Sequence, residues 1–323
     1  MKKLYFTFII AFFAWNCGKN DAISLTFQER FSSERDEIND LVFLDAQRGI
    51  AFGGSYWNHA AWLHTRDGGN TWKTDTLQNS RMLQATDLDL DGNMRVVSNI
   101  SNWYIKRPND TSFALESQPL GDLMSDIAFL KNENGCVAGG QAQYKGWIWR
   151  IENGWKVVQK DTFPHQINAI CRSDDQTLHA VGYGVVLKSD NGGKTWKENA
   201  IRADDNLKSV HFPTAQTGYA VGNHGTILKT TDGGKNWEKI RNGDAFATSK
   251  QPFNYTFFKT AELGYIVGES GLFWKTTDGG ENWQTVSNAP SDLNIQRICF
   301  FNNLMWIVGN VGRGKGKIYS VTE

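Results

Sequence analysis

The sequence predicts an all-β protein, built as a closed ring of seven four-stranded sheets in which an N-terminal strand completes the last sheet. Three observations support this fold class. An eight-residue glycine-tryptophan motif occurs four times, and its intact neighbours are spaced by 41 and 46 residues. The composition, with 32 Gly and 13 Trp but only 6 Pro, suits many short strands joined by glycine turns.

The motif has the form S/T-x-D/N-G-G-x-T/N-W and marks a turn. Glycine reaches positive φ without strain, and the Asp or Asn side chain accepts N–H groups of its own turn. The tryptophan then starts the next strand with a large apolar face that must be buried. The copies lie at 65–72, 189–196, 230–237 and 276–283. Their predicted structural residues are Asp67, Trp72, Asn191, Trp196, Asp232, Trp237, Asp278 and Trp283.

The spacing of the motifs gives the number of repeats. The first and second motif tryptophans are 124 residues apart, or about three periods, so two degenerate repeats lie between them. One ends at Trp155 and the other near Phe113, and both keep the aromatic residue. A period of about 40 to 45 residues with several short strands per unit is typical of β-propeller blades.

Seven copies of a strand-turn-strand unit align along the chain. They start at residues 38, 83, 124, 167, 207, 253 and 295. The first six continue into a third strand, the box turn or its remnant, and a fourth strand, whereas the seventh stops after its third strand at 317–321. A short alternating strand at 23–27 is expected to supply the missing fourth strand, because this removes an unpaired edge and ties both termini into one structure. Residues 23–323 are therefore predicted to form a single seven-bladed β-propeller.

The first residues have the pattern of an export signal. Lys2 and Lys3 precede an apolar run at 4–15, which is too short to span a bilayer comfortably. Cys17 follows and resembles the lipid-acceptor cysteine of bacterial lipoproteins. Residues 1–17 are thus predicted to be a signal peptide and 18–22 a short tether, with simple cleavage near Ala14 or Asn16 as the alternative. An exported lipoprotein, periplasmic or on the cell surface, would meet the membrane only through its lipid anchor.

Charge and residue spacing exclude several functions. Lys+Arg and Asp+Glu both number 34, and nucleic-acid binding needs an excess of cations. The six histidines show no paired metal spacing, and no phosphate loop or nucleophile elbow is visible. We therefore predict no cofactor, no metal and no catalytic residue. Cys136, Cys171 and Cys299 lie in strand-like runs and are interpreted as core residues.

The repeated motif is the Asp-box, or BNR repeat. The chain resembles the propellers that carry it, which include sialidases, xyloglucan-degrading hydrolases, sortilin-type receptors and photosystem II assembly and stability factors. Seven complete blades with small, uniform units most resemble the photosystem II assembly factor family, over about residues 23–323. The resemblance implies a non-enzymatic, monomeric propeller that holds a protein or peptide partner.

Ligands of similar propellers usually lie at the end opposite the box turns, around the channel mouth. Three loops between second and third strands are longer than the others at that end. The predicted ligand-binding residues in these loops are Tyr56, Trp57 and His59 in blade 1, Tyr144 and Lys145 in blade 3, and Arg313 and Lys315 in blade 7. Blades 7 and 1 are neighbours in a closed ring, so an aromatic and a cationic loop should lie side by side. Such a surface suits a peptide, a glycan or an acidic group.

Two further features stand out near the channel. Arg297 and Asp40 occupy equivalent positions in the innermost strands of adjacent blades, which predicts an ion pair that closes the ring. The connection at 242–254, which contains Phe246, is the largest insertion and is a candidate partner-specific loop.

Carbohydrate binding or sialidase-like hydrolysis is the alternative function. A glycosidase needs two carboxylates at a defined separation. Asp40, Asp126 and Glu269 are the candidates for an acid pair, but nothing local distinguishes them.

The string Asp87-Leu88-Asp89-Leu90-Asp91-Gly92-Asn93 resembles the start of a calcium loop. Arg95 and Ser98 occupy the ninth and twelfth places, where such a loop needs ligands. A β-strand that ends in an Asp-Gly-Asn turn is the simpler interpretation.

Overall fold

The computed structural model contains seven separate four-stranded antiparallel sheets, which confirms the predicted seven-bladed β-propeller. It describes residues 22–55, 58–77, 81–89, 92–99, 102–107, 110, 112–116, 122–141, 144–153, 156–199, 206–243, 245–246, 249–301 and 303–323. The predicted signal peptide, with Cys17, and all but the last residue of the tether lie outside these ranges.

The strands follow the predicted repeats. Blades 1 to 3 contain β2 (Glu37–Phe43), β3 (Gly49–Ser55), β4 (His59–Thr65), β5 (Lys73–Leu77), β6 (Leu83–Leu88), β7 (Met94–Ser98), β8 (Trp103–Lys106), β9 (Ala114–Leu115), β10 (Met124–Phe129), β11 (Gly135–Gln141), β12 (Lys145–Glu152) and β13 (Lys156–Phe163). Blades 4 to 6 contain β14 (Ile167–Arg172), β15 (Leu178–Gly182), β16 (Val185–Ser189), β17 (Lys197–Glu198), β18 (Leu207–His211), β19 (Gly218–Gly222), β20 (Ile227–Thr230), β21 (Glu238–Arg241), β22 (Phe253–Phe258), β23 (Gly264–Gly268), β24 (Phe273–Thr276) and β25 (Gln284–Thr285). Among the described residues, one 3₁₀ turn, Glu269–Gly271, follows β23.

Blade 7 combines both ends of the described chain. Its strands are β26 (Asn294–Phe301), β27 (Leu304–Asn310), β28 (Gly316–Thr322) and the N-terminal β1 (Thr26–Ser32), in the order β1-β28-β27-β26. β1 begins three residues later than the predicted strand at 23–27. The preceding residues turn to blade 6 instead: Ile23 bridges Val286, and the N–H of Leu25 donates to Asn288 Oδ1 at 3.0 Å.

The second strand of each blade is buried on both faces. All five residues of β19 and all five of β23 are buried, because each sheet lies between two neighbouring sheets. The apolar side chains therefore form clusters between adjacent blades. One such cluster joins Ile38 and Leu63 of blade 1 to Val308 and Ile318 of blade 7.

The Asp-box is a self-bonded turn. In the first copy, Thr65 Oγ1 donates to Asp67 Oδ1 at 2.7 Å and accepts the N–H of Gly69 at 2.9 Å. Asp67 Oδ1 also accepts the N–H of Thr71 at 2.9 Å. The same bonds recur in the other three copies. Gly68 and Gly69 have φ of 69° and 86°, as the turn chemistry predicts.

The second glycine of each box allows close packing on the preceding blade. A Cβ at Gly69 would lie 2.2 Å from the Trp306 ring of blade 7, and one at Gly193 would lie 2.3 Å from Cys136 Sγ of blade 3. A Cβ at Gly234 would meet the His179 ring of blade 4 at 2.6 Å. In these three copies the second glycine thus lies over one side chain of the neighbouring second strand. In the fourth copy, a Cβ at Gly280 would instead lie 2.9 Å from Ile240 in the outermost strand of blade 5.

The box tryptophans are less buried than predicted. Trp237 is 8% exposed, but Trp72, Trp196 and Trp283 are only half-buried. They lie at the start of the outermost strand, where one side of the ring faces solvent. In blade 2, Phe113 takes the same position and packs 5.2 Å from the Trp62 ring, as predicted for a degenerate repeat. Trp155 lies outside the described residues.

The cysteines divide into two groups. Cys136 is buried between blades, as predicted, and burial raises its pKa to about 12. Cys171 and Cys299 are half-buried. Each packs against a core cluster and also lines the axial channel, so the core interpretation holds for them only in part. Both belong to innermost strands, one side of which faces the channel.

Candidate functional site

A β-bulge recurs at the same point in all seven innermost strands. In each of them, the pairing with the second strand skips one residue. We call the skipped residues the mouth ring: Asn39, Gln84, Ser125, Asn168, Lys208, Asn254 and Gln296. A bulge re-aims the side chains beside it, so two consecutive residues can face the channel. All seven residues line one cavity of about 290 Å³.

Asparagines of the mouth ring also connect adjacent blades. Asn39 Nδ2 donates to the carbonyl of Leu83 in the next blade at 3.0 Å. Asn168 Nδ2 and Asn254 Nδ2 make the same bond to the following blades, at 2.7 and 3.1 Å. Two glutamines of this cavity make longer hydrogen bonds. Gln166 Nε2 lies 3.4 Å from Ser125 Oγ, and Gln296 Nε2 lies 3.4 Å from the carbonyl of Asn294. The mouth is therefore a ring of polar groups that suit hydrogen bonding, tied to neighbouring blades by three asparagines.

Arg297 closes the channel below the mouth ring. Its Nε and Nη2 lie 3.0 Å from Asp40 Oδ1 and Oδ2, which confirms the predicted ion pair between the last and first blades. Its Nη2 also lies 3.6 Å from Asp126 Oδ1 of blade 3, and its guanidinium lies 4.8 Å from the centre of the Tyr255 ring. Burial disfavours the charged form, but the attraction of Asp40 holds the pKa of Arg297 well above its usual value.

The carboxylates around Arg297 are held by the fold. Asp40 Oδ2 accepts the N–H of Thr86 at 2.9 Å, and Asp126 Oδ2 accepts the N–H of Ile170 at 3.0 Å, each in the next blade. Burial raises the pKa of Asp126 to about 6, opposed by the charge of Arg297. Glu269 lies apart from them in an exposed turn at the same end. The two aspartates thus share one arginine and are each held by a backbone N–H group of the next blade.

A second cavity of about 470 Å³ lies on the other side of the Arg297 closure. Its wall includes both channel cysteines, the rings of Phe257 and Phe300, and His211. His211 Nδ1 accepts the N–H of Phe258 at 3.2 Å, and burial lowers the pKa of His211 to about 4. The imidazole is therefore neutral and fixed by the next blade.

The residues predicted from the loops of blades 1 and 7 meet at a linking segment, Ser33 to Asp36. His59 Nε2 lies 2.7 Å from Asp36 Oδ1, and Lys315 Nζ lies 3.1 Å from Glu34 Oε2. Arg313 is exposed beside them. The loops of blades 1 and 7 are therefore brought together, and His59 and Lys315 contact carboxylates of the linking segment.

The other predicted binding residues lie elsewhere or outside the description. Tyr144 is 85% exposed and Lys145 is exposed, both at the turn between β11 and β12 in blade 3. Tyr56 and Trp57 lie outside the described residues. Phe246, in the long connection between blades 5 and 6, is fully exposed.

The acidic string in blade 2 forms a strand and a turn. β6 ends at Leu88, and Asp89 Oδ1 accepts the N–H of Asn93 at 2.8 Å. Asp87 Oδ2 accepts from Arg172 Nη1 at 2.7 Å, and Asp89 Oδ2 lies 3.3 Å from Arg95 Nη2. These carboxylates are thus paired with arginines, and Asp91 lies outside the described residues.

The mouth ring was not identified from the sequence. Strict alternation would turn adjacent residues to opposite faces, and the sequence gives no local sign of the bulges. One signal was available, because the second residue of all seven aligned repeats is polar between largely apolar neighbours. Within the described ranges, no cluster of three or more His, Cys, Asp or Glu side chains is placed to hold a metal ion. No helix in this part of the chain has the length and hydropathy needed to cross a membrane.

The sheets, the box turns and the closed channel define an Asp-box (BNR-type) β-propeller. More particularly, the chain resembles the photosystem II assembly factor YCF48: a family model described as "Photosynthesis system II assembly factor YCF48" matches residues 149–251. No curated protein matches the chain significantly in sequence.

Solved structures support the fold. A structure of YCF48 bound to D1 peptide is similar with a TM-score of 0.69 and 18% identity, covering 93% of this chain and 97% of that one. YCF48 from Cyanidioschyzon merolae gives 0.67 and 14%, covering 92% and 98%. A catalytically inactive virginiamycin B lyase from Staphylococcus aureus with quinupristin gives 0.74 and 12%, covering 93% and 100%. At these identities the similarity shows a shared fold.

Proposed function

We propose that this protein is a non-enzymatic scaffold that binds a peptide segment of a protein partner at the channel mouth. The observation that carries the proposal is the mouth ring, seven polar residues converging on one cavity above a closed channel. An asparagine or glutamine amide offers both a donor and an acceptor, which matches the groups of a peptide backbone.

The chemistry around the mouth fits binding better than catalysis. The nearest carboxylates, Asp40 and Asp126, are bound by Arg297 and by backbone N–H groups. The exposed side chains Tyr144 and Arg313 at the same end offer an aromatic and a cationic contact for a partner that reaches beyond the mouth. The structure of YCF48 with D1 peptide supports a peptide ligand for a propeller of this shape.

Export is part of the proposal. The charged start, the apolar run and Cys17 support secretion and lipidation, which would place the propeller on the outer side of a membrane as a bacterial lipoprotein. Metabolic labelling with a fatty-acid analogue, compared between the natural protein and Cys17→Ser, tests this. Labelling that persists in the variant would contradict it.

The binding proposal is tested by affinity purification of the full, detergent-solubilised protein followed by mass spectrometry. Gln84→Ala/Gln296→Ala removes two mouth amides, and Gln47→Ala/Gln176→Ala removes two exposed amides at the box end as a matched control. We expect a partner to be retained by the natural protein and the control and lost from the mouth variant. Equal recovery of the partner from both variants would exclude the mouth as the binding site. Turnover of any glycoside in a panel would show that the protein is a hydrolase and not a scaffold.

A further inference from the structure

A second ring of side chains lines the channel on the box side of the Arg297 closure. It consists of the third residue after each member of the mouth ring: Val42, Asp87, Ala128, Cys171, His211, Phe257 and Cys299. We call these residues the chamber ring, and the cavity of about 470 Å³ that they line the box-side chamber. All of them except Ala128 are half-buried. The seven innermost strands that carry them are described without a gap, so the wall of the chamber is fully defined.

The charged side chains of the box-side chamber are paired with one another. Arg297 contacts Asp40 at 3.0 Å and Asp126 at 3.6 Å at the inner end. Towards the box end, Arg172 Nη1 donates to Asp87 Oδ2 at 2.7 Å. These five residues are the only Asp, Glu, Lys or Arg side chains that line the described chamber. The chamber therefore suits an uncharged ligand.

Three rings from consecutive blades form an aromatic wall in the box-side chamber. The centres of the His211 and Phe257 rings are 4.7 Å apart with an interplanar angle of 34°, and those of Phe257 and Phe300 are 5.2 Å apart with an angle of 22°. The half-buried side chains of Val42 and Leu88 line the same cavity. Apolar surface that remains open in a cavity is a source of binding free energy for a ligand that covers it.

His211 adds one fixed hydrogen-bond donor to this wall. Its Nδ1 accepts the N–H of Phe258 at 3.2 Å, so the neutral imidazole carries its proton on Nε2. Within the described part of the chain, no group accepts a hydrogen bond from this Nε2–H. A mainly apolar cavity with a few well-placed polar groups is the usual form of a small-molecule site.

The size of the box-side chamber limits the ligand. A cavity of about 150 Å³ accommodates benzene, so about 470 Å³ has room for two fused rings with short substituents. Arg297 closes the inner end, which keeps a ligand in the chamber apart from a peptide at the mouth.

We propose that the box-side chamber binds a small, uncharged aromatic compound that carries one carbonyl or hydroxyl group. The rings of the ligand would cover the side chains of Phe257 and Phe300, and its oxygen would accept the Nε2–H of His211. This site is separate from the mouth and does not depend on the proposed scaffold function.

The probe is prodan, an uncharged naphthalene ketone whose fluorescence shifts to shorter wavelength in apolar surroundings. A fixed, low concentration of prodan is titrated with the full protein. We expect a saturable shift with a dissociation constant below about 200 µM, which ligands of this size commonly reach. The same dimethylaminonaphthalene without the ketone, measured by its displacement of prodan, should bind about threefold to tenfold more weakly because it cannot accept the hydrogen bond.

His211→Phe tests the donor, because it keeps an aromatic ring and removes the Nε2–H. The variant should bind prodan about threefold to tenfold more weakly and should leave the affinity for the ketone-free compound unchanged. It also leaves the N–H of Phe258 without its acceptor, so thermal unfolding is used to show that the variant is folded at the temperature of the titration.

Filling variants test the position. Val42→Phe/Cys171→Phe places in blades 1 and 4 the residue that blade 6 has at the same position, Phe257, and should weaken prodan binding about tenfold or more. If the double variant does not fold, Cys171→Phe alone decides the question. Val158→Phe makes the same substitution at an exposed position of β13 and should bind prodan normally. The mouth variant Gln84→Ala/Gln296→Ala should do so as well.

Five results would each overturn the proposal. They are no saturation up to about 200 µM protein, equal affinity for the two compounds, unchanged binding by a folded filling variant, unchanged binding by folded His211→Phe, or loss of binding in the mouth variant. None of them bears on the proposed scaffold function, which is tested by recovery of a partner protein.

Discussion

Arg297 of the last blade binds Asp40 of the first through two parallel contacts of 3.0 Å, so a bidentate ion pair joins the two ends of the ring inside the channel. Asp40 also accepts the N–H of Thr86 in the second blade. One carboxylate thus links three consecutive sheets.

Replacing this arginine should be costly. Arg297→Met leaves Asp40 and Asp126 without their cation, and we expect a loss of about 3–5 kcal/mol in the free energy of unfolding. Asp40→Leu added to Arg297→Met should recover part of that loss, because one buried charge is removed. Urea unfolding measures both, with Arg35→Met as a control because Arg35 is 75% exposed. If the unfolding free energy of Arg297→Met lies within about 0.5 kcal/mol of that of the natural protein, the ion pair does not stabilise the ring.

Asp126 should contribute more to the free energy of unfolding at acidic pH than at neutral pH. Its folded pKa of about 6 lies above the reference of 3.8, so the folded state binds more protons between these values. This contribution is complete below pH about 4 and is lost as pH rises through about 6, with an upper size of about 3 kcal/mol. The difference in unfolding free energy between the natural protein and Asp126→Asn should therefore fall over that range. A constant difference would contradict it.

The comparison with Asp126→Asn is needed because other groups titrate in the opposite sense. Burial lowers the pKa of His179 to about 3 and that of His211 to about 4, so their contributions decrease as pH falls below about 6.5. Hydrogen bonds from Thr71 and Asn236 lower the pKa of the box residues Asp67 and Asp232 to about 2, which affects stability only below pH about 4. Both effects are present in the two proteins and cancel in the difference.

The two box glycines differ in a way that substitution can measure. Gly192 and Gly193 have φ of 68° and 81°, so alanine is strained at either by about 1–2 kcal/mol. At Gly192 the nearest atom to an added Cβ is 3.4 Å away, whereas at Gly193 it is Cys136 Sγ at 2.3 Å. Gly193→Ala should cost about 1–3 kcal/mol more than Gly192→Ala. If Gly192→Ala and Gly193→Ala have the same midpoint of urea unfolding, the second glycine is not needed for contact with the preceding blade.

The tryptophan of the third intact box should be the most important of the four. Trp237 is 8% exposed and packs edge-on to Phe212 at 5.7 Å, so Trp237→Ala should destabilise the protein by about 3–5 kcal/mol. Trp283→Ala removes the same side chain at a half-buried position and should cost less. Thermal and urea unfolding of the two variants make the comparison, and the reverse order would contradict it.

The sequence predicted the features that depend on repetition. Four intact boxes, their spacing and seven aligned strand-turn-strand copies predicted seven blades, and the missing fourth strand after 317–321 predicted an N-terminal replacement. The alignment of the innermost strands also placed Arg297 beside Asp40. Each of these follows from equivalence between repeats, which the chain displays directly.

The candidate sites depend on departures from the repeat and were harder to predict. The bulges that create the mouth ring shift the pairing by one residue, and their only sign in the sequence is a polar second residue in each of the seven aligned repeats.

The position of β1 has a consequence for biosynthesis. Thr26 pairs with Thr322, so β1 can pair with its partner strand only after a further 296 residues have been synthesised. At about 5–20 residues per second this delay is roughly 15 to 60 s. Throughout that interval the ring is open between blades 7 and 1, and it can close only when β28 has been synthesised and pairs with β1.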